Sequence, residues 1–309
     1  MKHTSNHFYR DGVIHHLYIK ALYGRVLFYR TEDYLFLYTL FSILARRYGL
    51  QVEAFCIMFN HIHACLKAPS EDVMRSFCRD LSSLFTIGFN KEYNRQGKLL
   101  MLCGYAAKAS GKALRSCLVY IANNPSTGRI VEKAIEYKWN LLGYFLSNFP
   151  FSERLVKREA RFEMRKTLAI VDGCFSRGRF LNYTILNRVF AKLKNEEKQQ
   201  MVDYIIVKYF FIDRNGFLSH FNGIEKTLVA IESSSGSEHD FYEPWEDYSV
   251  YLTMLKKTKD SGLDYKRFRF HEMPRKDLIL LKMRLSMING ATNKHVARFL
   301  HLEELASWH

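Results

Sequence analysis

Between Glu53 and Lys67 the chain reads EAFCIMF, a single asparagine, then HIHACLK. The first run is apolar throughout, as in a strand covered on both faces. The second resumes as a strand after Asn60, and the pair predicts a hairpin with a very short turn. In a strand, residues two apart face the same side, so His61 and His63 project together while Ile62 and Ala64 point into the core. Two adjacent imidazoles make half of a divalent-metal site. The same spacing also suits two unrelated histidines on a polar strand face. Cys65 shares that face, which brings in zinc, although a small buried thiol accounts for it equally simply.

Other elements can be placed around this hairpin. Val13 to Leu22 is rich in β-branched and aromatic residues and reads as a strand. Tyr34, Leu37, Tyr38, Phe41 and Leu44 recur at helical spacing, predicting a helix over Glu32 to Tyr48 with Gly49 as its stop. After the break at Pro69-Ser70 a helix is expected over Glu71 to Tyr93, then a strand over Leu99 to Ala106. Gly111 to Asn124 reads as a helix ended by Pro125, because proline disfavours helical geometry in the residue before it. The order β-α-β-β-α-β points to an α+β fold: an antiparallel sheet with helices on one face.

From Phe151 the pattern becomes mostly helical, with helices expected over Ser152–Ile170, Leu181–Leu193, Glu196–Phe211 and Asn222–Ile231. The stretch ESSSGSEHD, Glu232 to Asp240, has linker composition. Two further helices, Arg275–Ile288 and Asn293–Leu300, flank Asn289-Gly290-Ala291 in the outline of a helix-turn-helix. This divides the chain into residues 1–148, a basic helical extension over 149–240, and a helical region over 241–309.

Lys and Arg number 46 against 31 Asp and Glu, a formal charge of +15 over 309 residues. That excess calls for a polyanionic partner, nucleic acid first. A spanning helix needs ~20 apolar residues, and no stretch of the sequence approaches that, so a membrane role is not expected. The polar N-terminus lacks a signal-peptide core. Six scattered cysteines without a Cys-x-x-Cys pair read as free thiols, consistent with a cytoplasmic, nucleoid-associated protein. Arg154, Arg158, Arg161 and Arg165 fall on one face of the expected helix 152–170, a candidate DNA-phosphate surface or else a merely solvated one.

Tyr120 and Asn124 lie four apart on the helix before Pro125 and so share a face, which Asn123 serves less well. The sequence Met58-Phe59-Asn60-His61-Ile62-His63, followed by Tyr120-Ile121-Ala122-Asn123-Asn124-Pro125 and then Tyr137-Lys138-Trp139 with Tyr144, resembles the single-tyrosine HUH transposases. Within these it is most similar to the REP-associated tyrosine transposases, and the opening from His16-Leu17-Tyr18 to Asp33-Tyr34 is also similar. The resemblance covers residues 8 to 148. Phe59 stands where the family usually has proline, and Ser126 where it commonly has a hydrophobic residue.

The resemblance implies a ferredoxin-like catalytic domain in which His61, His63 and Asn124 hold a divalent metal, Mg²⁺ or Mn²⁺, and Tyr120 is the nucleophile. The implied activity is nicking and rejoining of single-stranded or hairpin DNA through a 5′-phosphotyrosine. Alternatives are a rolling-circle replication or mobilisation initiator, and a domesticated hairpin-DNA-binding protein. The resemblance leaves both a homodimer and a monomer open.

Overall fold

The computed structural model describes residues 7–234 and 246–302. Its strands are β1 (His7–Phe8), β2 (Ile14–Lys20), β3 (Gln51–Ile57), β4 (His61–Lys67) and β5 (Gly104–Lys108). They form one sheet in the order β1-β5-β2-β4-β3. Neighbours are antiparallel except β1 and β5, which run parallel. The β3–β4 hairpin forms as expected, its turn closed by Met58 N donating to His61 O at 2.9 Å. β1, two residues long, is too short to show any alternation.

Strand alternation sorts the sheet into two faces. Leu17, Ile19, Phe55, Ile57, Ile62 and Ala64 align on one, and His16, Tyr18, Cys56, His63 and Cys65 on the other. Helices α1 (Thr31–Arg47) and α2 (Glu71–Glu92) cover the first face. Phe41 of α1 sits between Phe55 and Phe77, with ring centroids 4.7 and 5.2 Å away. Helix α3 (Gly111–Thr127) covers the second, where Cys117 Sγ meets Cys65 Sγ at 3.2 Å. The expected placement of helices on one face is therefore corrected: the sheet is sandwiched. The apolar run of β3 requires cover on both sides, and α3 supplies the second layer.

Local chemistry sets the helix starts. Ser70 accepts from Val73 N at 3.3 Å and Ser110 from Ala113 N at 3.1 Å, each satisfying a donor that the first turn leaves open. For α1 the buried Asp33 takes that role, accepting from the backbone N–H of Tyr29 and Arg30 at 3.0 and 2.8 Å. Pro125 does not end α3, which continues to Thr127. Proline removes only its own N–H, and the helix closes beyond it through Gly128 N to Asn124 O at 2.9 Å.

The remaining helices are α4 (Phe162–Ser176), α5 (Tyr183–Phe190), α6 (Asn195–Lys208), α7 (Arg214–Ser219), α8 (Ile224–Glu232), α9 (Ser249–Asp260), the single turn α10 (Tyr265–Phe268), α11 (Arg275–Ser286) and α12 (Asn293–Leu300). The expected helix over 152–170 begins only at Phe162, and residues 151–161 are non-helical. The buried Asp203 side chain of α6 pins the start of this segment, binding Phe151 N at 3.1 Å and Ser152 Oγ at 2.8 Å. Residues 235–240 of the expected linker lie outside the described residues.

These helices pack on the sheet domain. Tyr38 and Ser42 of α1 donate to the carbonyls of Ile206 and Tyr209 at 2.8 and 2.6 Å. The open edge of β3 is continued by Ile212, bridged in parallel to Val52, with Asp213 N donating to Val52 O at 2.7 Å. Helices α9, α11 and α12 touch one another, and the end of α12 docks on the loop after β2. There Val26 N reaches Arg298 O at 3.1 Å, and Tyr29 donates to Phe299 O at 2.6 Å. Among the described residues no helix is long and apolar enough to cross a membrane.

Candidate active site

The strand pattern that turns Ile62 and Ala64 to one side leaves His61 and His63 on the face beneath α3, both buried. Their ring centroids are 4.9 Å apart and the planes nearly perpendicular. His61 Nδ1 lies 2.7 Å from Asn60 Oδ1. The Asn60 amide cannot be reversed without losing its own donation to Gly24 O at 3.1 Å, so its oxygen faces the imidazole. A carbonyl oxygen only accepts, so the His61 proton sits on Nδ1 and the Nε2 lone pair faces away from Asn60.

His63 is oriented in a similar way by a residue of β2. His16 Nε2 lies 2.9 Å from His63 Nδ1, and one proton must sit between the two nitrogens. With it on Nδ1, the Nε2 lone pair of His63 faces away from His16. Tyr18, paired with His63 across the β2–β4 ladder, stacks on it at 4.8 Å and meets His61 edge-on at 5.8 Å.

Helix α3 crosses above these rings. Tyr120 packs edge-on against His63 at 5.3 Å and His16 at 6.0 Å. Two turns later Gly128 abuts Tyr248, whose ring lies 5.7 Å from His61. The helix thus runs from the His16–His63 end of the site to the His61 end, and Asn124 occupies the buried turn between. Asn123 is committed elsewhere, donating from Nδ2 to Ser234 O at 3.2 Å. The structure brings His61, His63 and Tyr120 into one cluster, with Asn124 buried one turn along α3 from Tyr120.

Among the described residues no group of three or more His, Cys, Asp or Glu side chains is arranged to hold a metal. Cys65 is turned to Cys117 and packs as a buried thiol. His61 and His63 bring two imidazole nitrogens together without a thiolate, a borderline donor pair.

The four arginines do not share a helix face, which corrects the helical spacing expected of them. Arg154, Arg158 and Arg161 lie in the non-helical segment, and only Arg165 belongs to α4. Arg161 is held by Glu197 through bonds of 2.7 and 2.6 Å, and Arg158 pairs with Glu159 at 3.3 Å. The helix-turn-helix outline is also met in part only. Helix α9 supplies a third member, but Arg298 of α12 binds Glu246 at 2.7 Å and the helix end is docked. The aromatic segment after α3 is structural: Tyr137 donates to Ile57 O at 2.7 Å, Trp139 stacks on Tyr34 at 4.6 Å, and Tyr144 donates to Asp203 at 2.7 Å.

Sequence reasoning missed three contributors, His16, Asn60 and Tyr248. The alternation of β2 signals His16 once its pairing with β4 is known. Nothing local marks Tyr248.

Residues 11–124 match the family model described as "Transposase IS200 like". Among solved structures, one titled "Structure of the REP associates tyrosine transposase bound to a REP hairpin" is similar at 17% identity. The match covers 44% of this chain and 80% of that chain, with a TM-score of 0.39. No curated protein matches the sequence.

Proposed function

We propose that this chain, whose residues 11–124 match the IS200-like transposase model, is a transposase that breaks and rejoins single-stranded DNA with Tyr120 as its nucleophile. The observation that carries the reading is the contact of Tyr120 with His63, beside which His61 lies. A tyrosine of ordinary pKa, about 10, is a weak nucleophile at neutral pH and needs charge stabilisation beside it.

In the proposed reaction Tyr120 Oη bonds to the scissile phosphorus and loses its proton to solvent. The phosphorus–3′-oxygen bond breaks, and the departing oxygen takes up a proton. One strand end becomes a 5′-phosphotyrosine and the other a free 3′-hydroxyl. A phosphodiester is exchanged for a phosphodiester, so a 3′-hydroxyl can attack in turn and reseal or transfer the strand. His61 and His63 through Nε2, and Asn124 through its amide oxygen, would hold a divalent cation, Mg²⁺ or Mn²⁺. When bound, that cation would polarise the phosphate and offset charge on the leaving oxygen. The burial of both imidazoles keeps water from competing for their lone pairs. Asn60 fixes the nitrogen that His61 presents, and His63 presents Nε2 when the proton it shares with His16 sits on its own Nδ1.

Hairpin-bearing single strands are the first substrates to test. Tyr120→Phe is expected to abolish the denaturant-stable protein–DNA adduct while leaving binding of the same oligonucleotide near the parent value. Strand cleavage by that variant would refute the nucleophile assignment, and full cleavage in excess chelator would refute the metal.

A further inference from the structure

The helical half of the chain sends one side chain into the catalytic cluster. Tyr248, immediately before α9, is buried, and its hydroxyl lies 3.4 Å from His61 Nδ1. Its backbone N–H donates to Gly128 O at 3.0 Å, just past the end of α3. Its ring lies against Gly128 and is near-parallel to Phe59 at 6.5 Å. A Cβ on residue 128 would sit 2.7 Å from Tyr248 Cδ2, so the ring approaches the helix as closely as only glycine permits. The turn is braced on both sides: Arg129 pairs with Asp247 at 3.1 Å, and Tyr251 donates to Glu246 at 2.7 Å.

We infer that Tyr248 is a positioning residue for His61. It presents a second oxygen to the Nδ1 proton beside Asn60, and its ring packs against the imidazole at 5.7 Å, as that of Tyr18 does at 5.8 Å. Rotating the His61 ring by half a turn would put a carbon where Nδ1 now meets both oxygens. The ring is therefore held in the orientation that sends Nε2 into the site. At 3.4 Å the hydroxyl contact is weak alone, and the wedge of the aromatic ring carries the rest. The inference rests on the reading of His61 as a ligand.

The test uses the full chain, labelled with ¹⁵N-histidine, with Tyr248→Phe to remove the hydroxyl and Gly128→Ala to push against the ring from the helix. Two readouts are taken: imidazole ¹⁵N spectra, which report tautomer, and Mn²⁺ affinity from the loss of the free-ion EPR signal. Tyr248→Phe is expected to shift the His61 Nδ1 resonance and weaken Mn²⁺ binding about tenfold, the lower end for an outer hydrogen-bond partner of a ligand. Gly128→Ala should move the same resonance. Unchanged His61 signals and unchanged affinity in both variants would overturn the inference. If the parent binds no Mn²⁺, it is the metal reading that falls, and the spectra alone decide on Tyr248: a shifted His61 signal upholds its role and an unshifted one removes it.

Discussion

The adjacent asparagines of α3 give the sharpest contrast between neighbouring residues. Asn123 ties the helix to Ser234 through its side chain, whereas Asn124 sits in the turn between Tyr120 and Gly128 above the histidine pair. Asn124→Ala is expected to lower metal-dependent cleavage at least about 100-fold, since loss of even an outer partner of a ligand reaches that figure. Asn123→Ala should leave cleavage within a few-fold of the parent and act on stability, by about 1 kcal/mol for one hydrogen bond. Equal losses of cleavage in both variants would contradict the separation. At this scale the sequence was informative wherever a residue's role follows from its own element. Strand alternation brought His61 and His63 together, and helical spacing joined Tyr120 to Asn124. His16 needed the pairing of β2 with β4, and Tyr248 needed tertiary packing, so neither could be read locally.

Among the elements, α12 has a condition attached to its docking. His301, which caps it, is half-buried, with Nε2 donating to Val26 O and Nδ1 facing Arg95 Nη1. Burial pushes its pKa well below the ordinary imidazole value, and the positive charge of Arg95 adds to the shift. Only the neutral ring can accept from Arg95 while donating to the carbonyl. The folded pKa is depressed, so the unfolded chain binds the proton first as pH falls. Stability from this group is complete above the ordinary value of about 6.5 and is lost progressively below it. Thermal unfolding should show a falling melting temperature from about pH 6.5 downwards, and His301→Gln, which keeps a donor and an acceptor, should flatten that slope. A slope identical in the two proteins would rule His301 out as its source. Local signals were a good guide to elements with their own caps, such as α2 and α3. They failed over residues 151–161, where the buried carboxylate of Asp203 pins the start of the segment. They failed again at Pro125, whose restriction of the residue before it reads as a stop although the helix closes around it.

For the molecule as a whole, the sheet is finished by the helical half. Ile212 and Asp213 occupy the edge of β3, and α6 takes hydrogen bonds from α1. Residues 1–148 expressed alone would expose that edge as an unpaired row of backbone groups together with the apolar side of α1. They are expected to self-associate, seen in sedimentation as species larger than a monomer and growing with concentration. A monodisperse, stable monomer would show that the sheet domain does not need this cover. The α+β character and the helical second half were legible from periodicity. The sandwiching of the sheet was written in the apolar run of β3, but the order of the elements alone did not specify where α3 would lie.

The close seat of Tyr248 on Gly128 bears on how such a chain can be inherited. A recombination joint placed between the sheet domain and the helices would look neutral, because it falls outside every recognisable motif. It would nevertheless pair one parent's helix end with the other parent's aromatic ring, and any side chain larger than hydrogen at position 128 would collide with that ring. Positions 128 and 248 must therefore be matched across the joint.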